Sequence, residues 1–295
     1  MMENEKKSEA LYNAANVELH RIEDATIAVR TFGQGPAILL VHGYPVSGYT
    51  WRKLLPTLSA NFTCYVVDLP GLGDSDWEPN TDFSFTAQAR RLSLLSKELK
   101  LGTFSIIAHD TGATIARLFA ISFPKNIKKL VMLNTEIPGH RPPWIQFFQF
   151  IAKLPLASTM FRLPLRSSFF LQSSMGFGQF YSDSRLFKNR GNLAPYVDPL
   201  IGSPRRLLGS LNYLKGIDWK AVDGFGEGHA KIRADVLFLW GEDDKTFPIH
   251  LAMEMCQQFK CNVDFMPLLS ASLMPHEEKP RDVLQHLIPF LTDQY

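Results

Sequence analysis

Short runs of aliphatic and β-branched residues alternate along this chain with longer stretches whose apolar positions recur every three to four residues. The runs predict strands over residues 27–31, 37–41, 64–68, 104–108 and 130–134. Residues 51–58, 85–99 and 111–123 have helical spacing, and the last of these opens directly from a strand end. Strands alternating with helices of this length are the signature of parallel strands joined by helical crossovers. The pattern stops near residue 136. It returns with a strand over 236–240, a helix over 250–259, a strand over 263–266 and a final helix over 280–291. A mostly parallel sheet is therefore interrupted and resumed.

The interruption, residues 137–218, differs in composition. It holds nine phenylalanines, is rich in proline and shows little period-two alternation, so it reads as a helical insertion into a core made of residues 1–136 and 219–295. Ten Lys and Arg face three acids within it, a net +7 that leaves −5 on the remainder of a chain whose total is +2. Such asymmetry fits an anionic ligand, a membrane surface or an acidic partner, and equally a solvated face with no partner.

With 295 residues, 45% apolar and 20% charged, the chain has an ordinary globular composition. It has no apolar run long enough to span a bilayer and a charged N-terminus where a secretory signal needs an apolar stretch, so a cytoplasmic location is expected. The near-balanced charge points to no nucleic-acid partner. Three cysteines, Cys64, Cys256 and Cys261, suit neither a disulfide framework nor a zinc ribbon, and no metal site is expected.

Candidate chemistry gathers at strand ends. The strand over 104–108 runs into Ala108-His109-Asp110-Thr111-Gly112-Ala113 and then a helix, the layout of a nucleophile elbow in which small residues flank an exposed central side chain. That residue is Asp110, a carboxylate able to attack an electrophilic carbon and form an ester. Capping the helix is the plainer role for the same aspartate. The strand over 37–41 ends in His42-Gly43-Tyr44-Pro45, a turn that offers the Tyr44 amide, with that of Thr111, as a two-donor hole for negative charge. The glycines after Val66-Val67-Asp68 serve a turn and form no phosphate cradle.

Together the H-G-x-P turn, the segment Asp68-Leu69-Pro70-Gly71-Leu72-Gly73-Asp74-Ser75, the H-D-x-G elbow and the late stretch Gly241-Glu242-Asp243-Asp244-Lys245-Thr246-Phe247-Pro248 resemble the α/β-hydrolase fold superfamily. The likeness is to its aspartate-nucleophile branch, the epoxide hydrolases and haloalkane or haloacetate dehalogenases, and it covers nearly the whole chain. It implies Asp110 as nucleophile, Asp244 as the acid that orients a base, with Glu136 a weaker alternative, and the insertion as a cap over an apolar pocket. Cap residues Trp144 and Phe148 are then substrate-binding candidates, and Tyr181 and Tyr213 are candidates to protonate a departing oxygen. This chemistry requires no cofactor, and the expected partner is a small apolar substrate. The oligomeric state stays open.

The resemblance breaks at the base. The family's histidine before the final helix corresponds here to Leu273, in Ser272-Leu273-Met274-Pro275-His276-Glu277-Glu278. Three accounts follow: a shifted loop brings His276 to the ester as base, the protein binds or transforms ligands without hydrolysing one, or His109 takes part. The residue after the nucleophile is Thr111 where dehalogenases carry a halide-holding tryptophan, and no arginine follows it closely to clamp a carboxylate. Epoxide opening therefore stands ahead of carbon–halogen hydrolysis.

Overall fold

The computed structural model describes residues 2–183, 191 and 193–294. Its strands are β1 (Glu18–Ile22), β2 (Ala25–Phe32), β3 (Ala37–Val41), β4 (Thr63–Asp68), β5 (Asp76–Trp77), β6 (Phe104–His109), β7 (Ile127–Leu133), β8 (Asp235–Gly241) and β9 (Val263–Leu268). They form one sheet in the order β1-β2-β4-β3-β6-β7-β8-β9, with β5 beside β2. Pairing is parallel from β4 through β3 to β9, whereas β1, β4 and β5 all run antiparallel to β2. The hydrophobic runs announce every strand except β1 and β5. β1 is largely exposed and β5 has two residues, so neither carries a burial signal.

The strands read as unbroken apolar runs because both faces of the sheet are covered. Successive side chains alternate between two cores. Leu39, Val41, Ile106, Ala108, Leu130 and Met132 pack with α3 (Phe85–Glu98) and α4 (Thr111–Ser122) on one face. Ile38, Leu40, Ile107, Val131, Leu237 and Leu239 pack on the other, with the 3₁₀ turn Gly48–Lys53, α2 (Leu55–Leu58) and a C-terminal helix. The N-terminus adds α1 (Met2–Ala14), which the hydrophobic pattern does not mark. Tyr12 helps to anchor it there: it is buried, stacks on Phe32 and meets Tyr49 edge-on, with ring centroids 6.1 and 5.2 Å apart.

Between β7 and β8 the described residues form helices and no strand: α5 (Pro143–Ala152), α6 (Ala157–Leu165), α7 (Ser168–Gln172), α8 (Ala194–Gly202), α9 (Pro204–Gly216), α10 (Trp219–Asp223) and α11 (Phe225–Gly228). Ser167 and Ser203 start α7 and α9 by accepting the amides of Phe170 and Arg206, as N-caps do. Arg185, Lys188 and Arg190, three of the insertion's ten basic residues, and Phe187 lie outside the described residues. After β8 come α12 (Ile249–Cys256), β9, α13 (Pro275–Glu278) and α14 (Pro280–Leu291).

A buried ion pair ties the inserted helices to the core. Arg52 in the 3₁₀ turn and Glu277 in α13 are both buried, with Nη1 to Oε1 at 3.1 Å and Nη2 to Oε2 at 3.3 Å. Thr50 Oγ1 and the Tyr196 hydroxyl of α8 also donate to Glu277 Oε1, and Lys53 Nζ donates to its backbone oxygen. Burial alone would raise the Glu277 carboxyl pKa, but Arg52 and Lys53 outweigh it and hold the group ionised. Removing one charge leaves the other desolvated and unpaired, which costs more than replacing both. Glu277→Gln is therefore expected to lower the unfolding free energy by about 3 kcal/mol in a urea titration, and the double variant Arg52→Met, Glu277→Leu to recover part of that loss.

Candidate active site

Asp110 stands at the end of β6, with φ 51° and ψ −131°, a conformation that side-chain-bearing residues rarely adopt. The surroundings over-determine it. The Asp110 amide donates to the carbonyls of Leu133 and Asn134, and Thr135 Oγ1 donates to the Asp110 carbonyl at 2.9 Å. Two glycines let the neighbouring segments close in. A Cβ on Gly43 would lie 2.5 Å from Asp110 Cβ and Oδ2, and one on Gly112 would lie 2.3 Å from the His42 carbonyl oxygen. The same proximity brings the Tyr44 amide to Asp110 Oδ2 at 2.8 Å, and the Thr111 amide also bonds the carboxyl. Both expected donors are thus directed at Asp110. His42 is a structural residue: its Nε2 accepts the Leu69 amide, so its Nδ1–H donates to the Gly43 carbonyl at 2.7 Å.

Asp110 opens into a cavity of about 330 Å³ between the strand ends and the inserted helices. Its walls are chiefly apolar, and Trp144 and Phe148 of α5 are among the residues that line it. Leu273 lines it too, while its backbone oxygen accepts His109 Nε2–H at 2.8 Å. Among the described lining residues the titratable side chains are Tyr44, Asp110 and Glu136.

The other expectations are corrected by position. His276 does not line the cavity. Thr50 Oγ1 gives its proton to Glu277, so His276 Nε2–H donates to Thr50 Oγ1 at 2.6 Å, and the ring is sandwiched against Trp51 and His109 at 4.7 Å from each. Burial, then the neighbouring His109 and Arg52, keep it neutral. The loop is not shifted to present His276 to Asp110. Nor is His109 on the wall; burial lowers its pKa to about 4. Tyr181 is buried in a cluster with Leu171, Phe177 and Tyr196 and does not line the cavity, and Tyr213 does not line it either, its hydroxyl lying 3.0 Å from Thr111 Oγ1. The phenol that does line the cavity is Tyr44, stacked on Tyr213, and Ser210 Oγ donates to its hydroxyl. Sequence reading used only the Tyr44 amide. The pairing of Tyr44 with α9 is made by tertiary contact and leaves no trace in spacing.

The acid is placed behind the wall. Asp244 Oδ2 accepts Asn134 Nδ2 at 2.7 Å, and its Oδ1 accepts the Thr246 and Phe247 amides at 2.7 and 3.2 Å. Asn134 is fixed in turn because its Oδ1 accepts the Gly241 amide at 2.9 Å. Asp244 and Asn134, just beyond the ends of β8 and β7, thus meet each other and not an imidazole. Glu136, the weaker alternative, lies on the cavity wall, accepts Thr114 Oγ1 at 2.6 Å and stands 3.1 Å from Thr135 Oγ1, whose proton goes to the Asp110 carbonyl. Arg117 comes close but spends one nitrogen on the Glu136 carbonyl, 2.7 Å away, and burial lowers its own pKa to about 9.

Three buried carboxyls therefore lie near one another, and Arg117 offsets the cost of burial only in part, at Glu136. Burial, then Glu136, raise the Asp110 pKa well above the usual range; burial also raises Glu136 and pushes Asp244 up to about 7. A carboxyl raised in the folded state binds a proton that the unfolded chain has already lost, so its contribution weakens stability as pH climbs from about 4 to about 7. Asp244→Asn should reduce the loss of stability between pH 5 and pH 8, read as the difference in urea midpoints at the two pH values. An unchanged difference would mean that Asp244 is ionised throughout.

A family model for the alpha/beta hydrolase fold matches residues 36–268. An uncharacterized protein of Mycobacterium tuberculosis is 26% identical over 230 residues, 76% of this chain and 66% of that protein, so the chain spans just under two thirds of that relative's length. Epoxide hydrolase 3 of Siraitia grosvenorii is 26% identical and is covered over 94% of its length by 89% of this chain. Among solved structures, the epoxide hydrolase CorEH superposes with a TM-score of 0.77 at 22% identity, over 95% of this chain and 99% of that one, a likeness of fold. With the sheet order, the elbow and a family match over most of its length, this chain belongs to the alpha/beta hydrolase fold family.

Proposed function

We propose that the protein takes an electrophilic apolar small molecule, an epoxide before an alkyl halide, and forms an ester on Asp110. The observation that carries this reading is the Asp110 carboxyl itself, held by the Tyr44 and Thr111 amides at the floor of a mostly apolar cavity. Residues 137–218 act as the cap that supplies Trp144 and Phe148 to the pocket over a core of residues 1–136 and 219–295.

In the step proposed, an oxygen of ionised Asp110 attacks a ring carbon, the carbon–oxygen bond of the epoxide breaks, and the released oxygen takes a proton. Tyr44 is the donor on the wall. Burial raises its pKa to about 12, so the phenol keeps its proton until an alkoxide, which is more basic, develops. The product is a hydroxyalkyl ester on Asp110 and a tyrosinate that regains its proton from solvent.

The second half-reaction needs a base to activate water. Leu273 supports the reading that the usual imidazole is missing at this wall, and Glu136 is the remaining proton acceptor there besides the nucleophile. A second reading, a family member that binds or alkylates without turnover, draws on the same leucine.

Intact-mass measurement after incubation with a panel of aryl and alkyl epoxides tests this chemistry. One added epoxide mass is expected, absent from Asp110→Asn. Because the carboxyl must ionise first, adduct formation should rise with pH across the neutral range. Leu273→His should speed loss of the adduct by about a hundredfold, the scale of a positioned general base. Tyr44→Phe should slow adduct formation by about tenfold or more without changing its site. An adduct that survives in Asp110→Asn would sink the assignment of the nucleophile.

A further inference from the structure

Thirteen large apolar side chains are exposed among the described residues, and seven of them fall between Phe147 and Met175. They follow the helical repeat. Phe147 and Phe150 are three apart on α5; Leu156, Met160 and Leu163 are four and three apart at and along α6; Phe169 follows on α7. Phe169 is 86% exposed and Leu156 78%, so these are whole side chains in water. An aqueous surface carries such residues singly, and a cluster marks a site of contact.

Charge identifies the chemistry of the partner. From residue 137 to 182 the chain holds Arg141, Lys153, Arg162 and Arg166 and not one Asp or Glu. Arg141 is engaged with Asp223, and Arg162 donates to the Ile201 carbonyl. Lys153 and Arg166 stand exposed between the apolar side chains. Apolar groups flanked by cations, with no anion among them, match the layering of an anionic lipid surface, in which phosphates lie immediately above acyl chains.

The face is also continuous with the cavity. Phe147, Met160 and Met175 line the cavity that contains Asp110 and are each exposed at the outer surface as well. We propose that α5, α6 and α7 form a docking surface for anionic phospholipid bilayers, and that the mouth of the cavity faces the acyl region, from which an apolar substrate passes to Asp110. The docking stands alone; the passage of substrate rests on the reading of Asp110 given above. No helix of the described residues is long and apolar enough to cross a membrane.

The full chain is sedimented with vesicles of phosphatidylcholine alone and of phosphatidylcholine containing about one third phosphatidylglycerol. Binding to the anionic vesicles is expected at low salt, at least tenfold weaker on the neutral ones, and weakened again when salt is raised to about 0.5 M. Phe169→Ser with Leu163→Ser should lower binding by about tenfold, and Lys153→Glu with Arg166→Glu should abolish the preference for anionic lipid. Leu269→Ser, an exposed leucine outside this face, should bind as the parent does. None of these residues lines the cavity, and adduct formation with a water-soluble epoxide in the absence of vesicles reads the Asp110 chemistry separately. No binding to anionic vesicles at low salt, or unchanged binding by the Phe169 and Leu163 variant, overturns the docking surface. Self-association in sedimentation velocity that the same variant abolishes, without lipid binding, assigns the face to a second copy of the chain and overturns it likewise.

Discussion

The close approach of two strand ends at Asp110 is the constraint on which the site depends. Gly43 and Gly112 are the two places where a side chain would strike the opposing segment, and their absence of Cβ lets the turn after β3 press against the elbow after β6. From that contact follow the strained backbone of Asp110, the Tyr44 amide on its carboxyl, and the position of the Tyr44 ring in the cavity. The strain is sustained by bonds from Leu133, Asn134 and Thr135, so β7 serves the site as much as β6 does.

Electrostatics divide the molecule at α13. On one side Glu277 has a full complement of donors and a guanidinium, and remains an anion although it is buried. On the other, Asp110, Glu136 and Asp244 have hydrogen bonds, Arg117 acts only in part against the burial of Glu136, and burial pushes all three toward the neutral form. An imidazole beside Asp110 would lower that penalty in its charged form. Leucine at 273 closes the wall without doing so. His276, three residues on, is held by Thr50 and the rings of Trp51 and His109 and serves packing.

The inserted helices have two apolar faces. Inward, Trp144, Phe148 and Phe161 enclose the cavity; outward, Phe150, Leu163 and Phe169 meet water beside Lys153 and Arg166. Apolar residues on both sides of a thin helical layer account for the richness of this segment in phenylalanine.

The sequence by itself determined the sheet, because strands buried on both faces must be written as continuous apolar runs, and it determined the elbow, because only small residues fit around that turn. It also offered Leu273, in Ser272-Leu273, as the position that corresponds to the family's Gly-His pair. Only the tertiary structure decided which polar groups share the cavity. Tyr44, Glu136 and Leu273 are far apart in the chain and meet through packing, whereas His276, Tyr181 and Tyr213, candidates by residue type, do not line the cavity. Residue type and spacing report what a side chain can do along its own element. Its partners are set by distances between elements, which spacing does not encode.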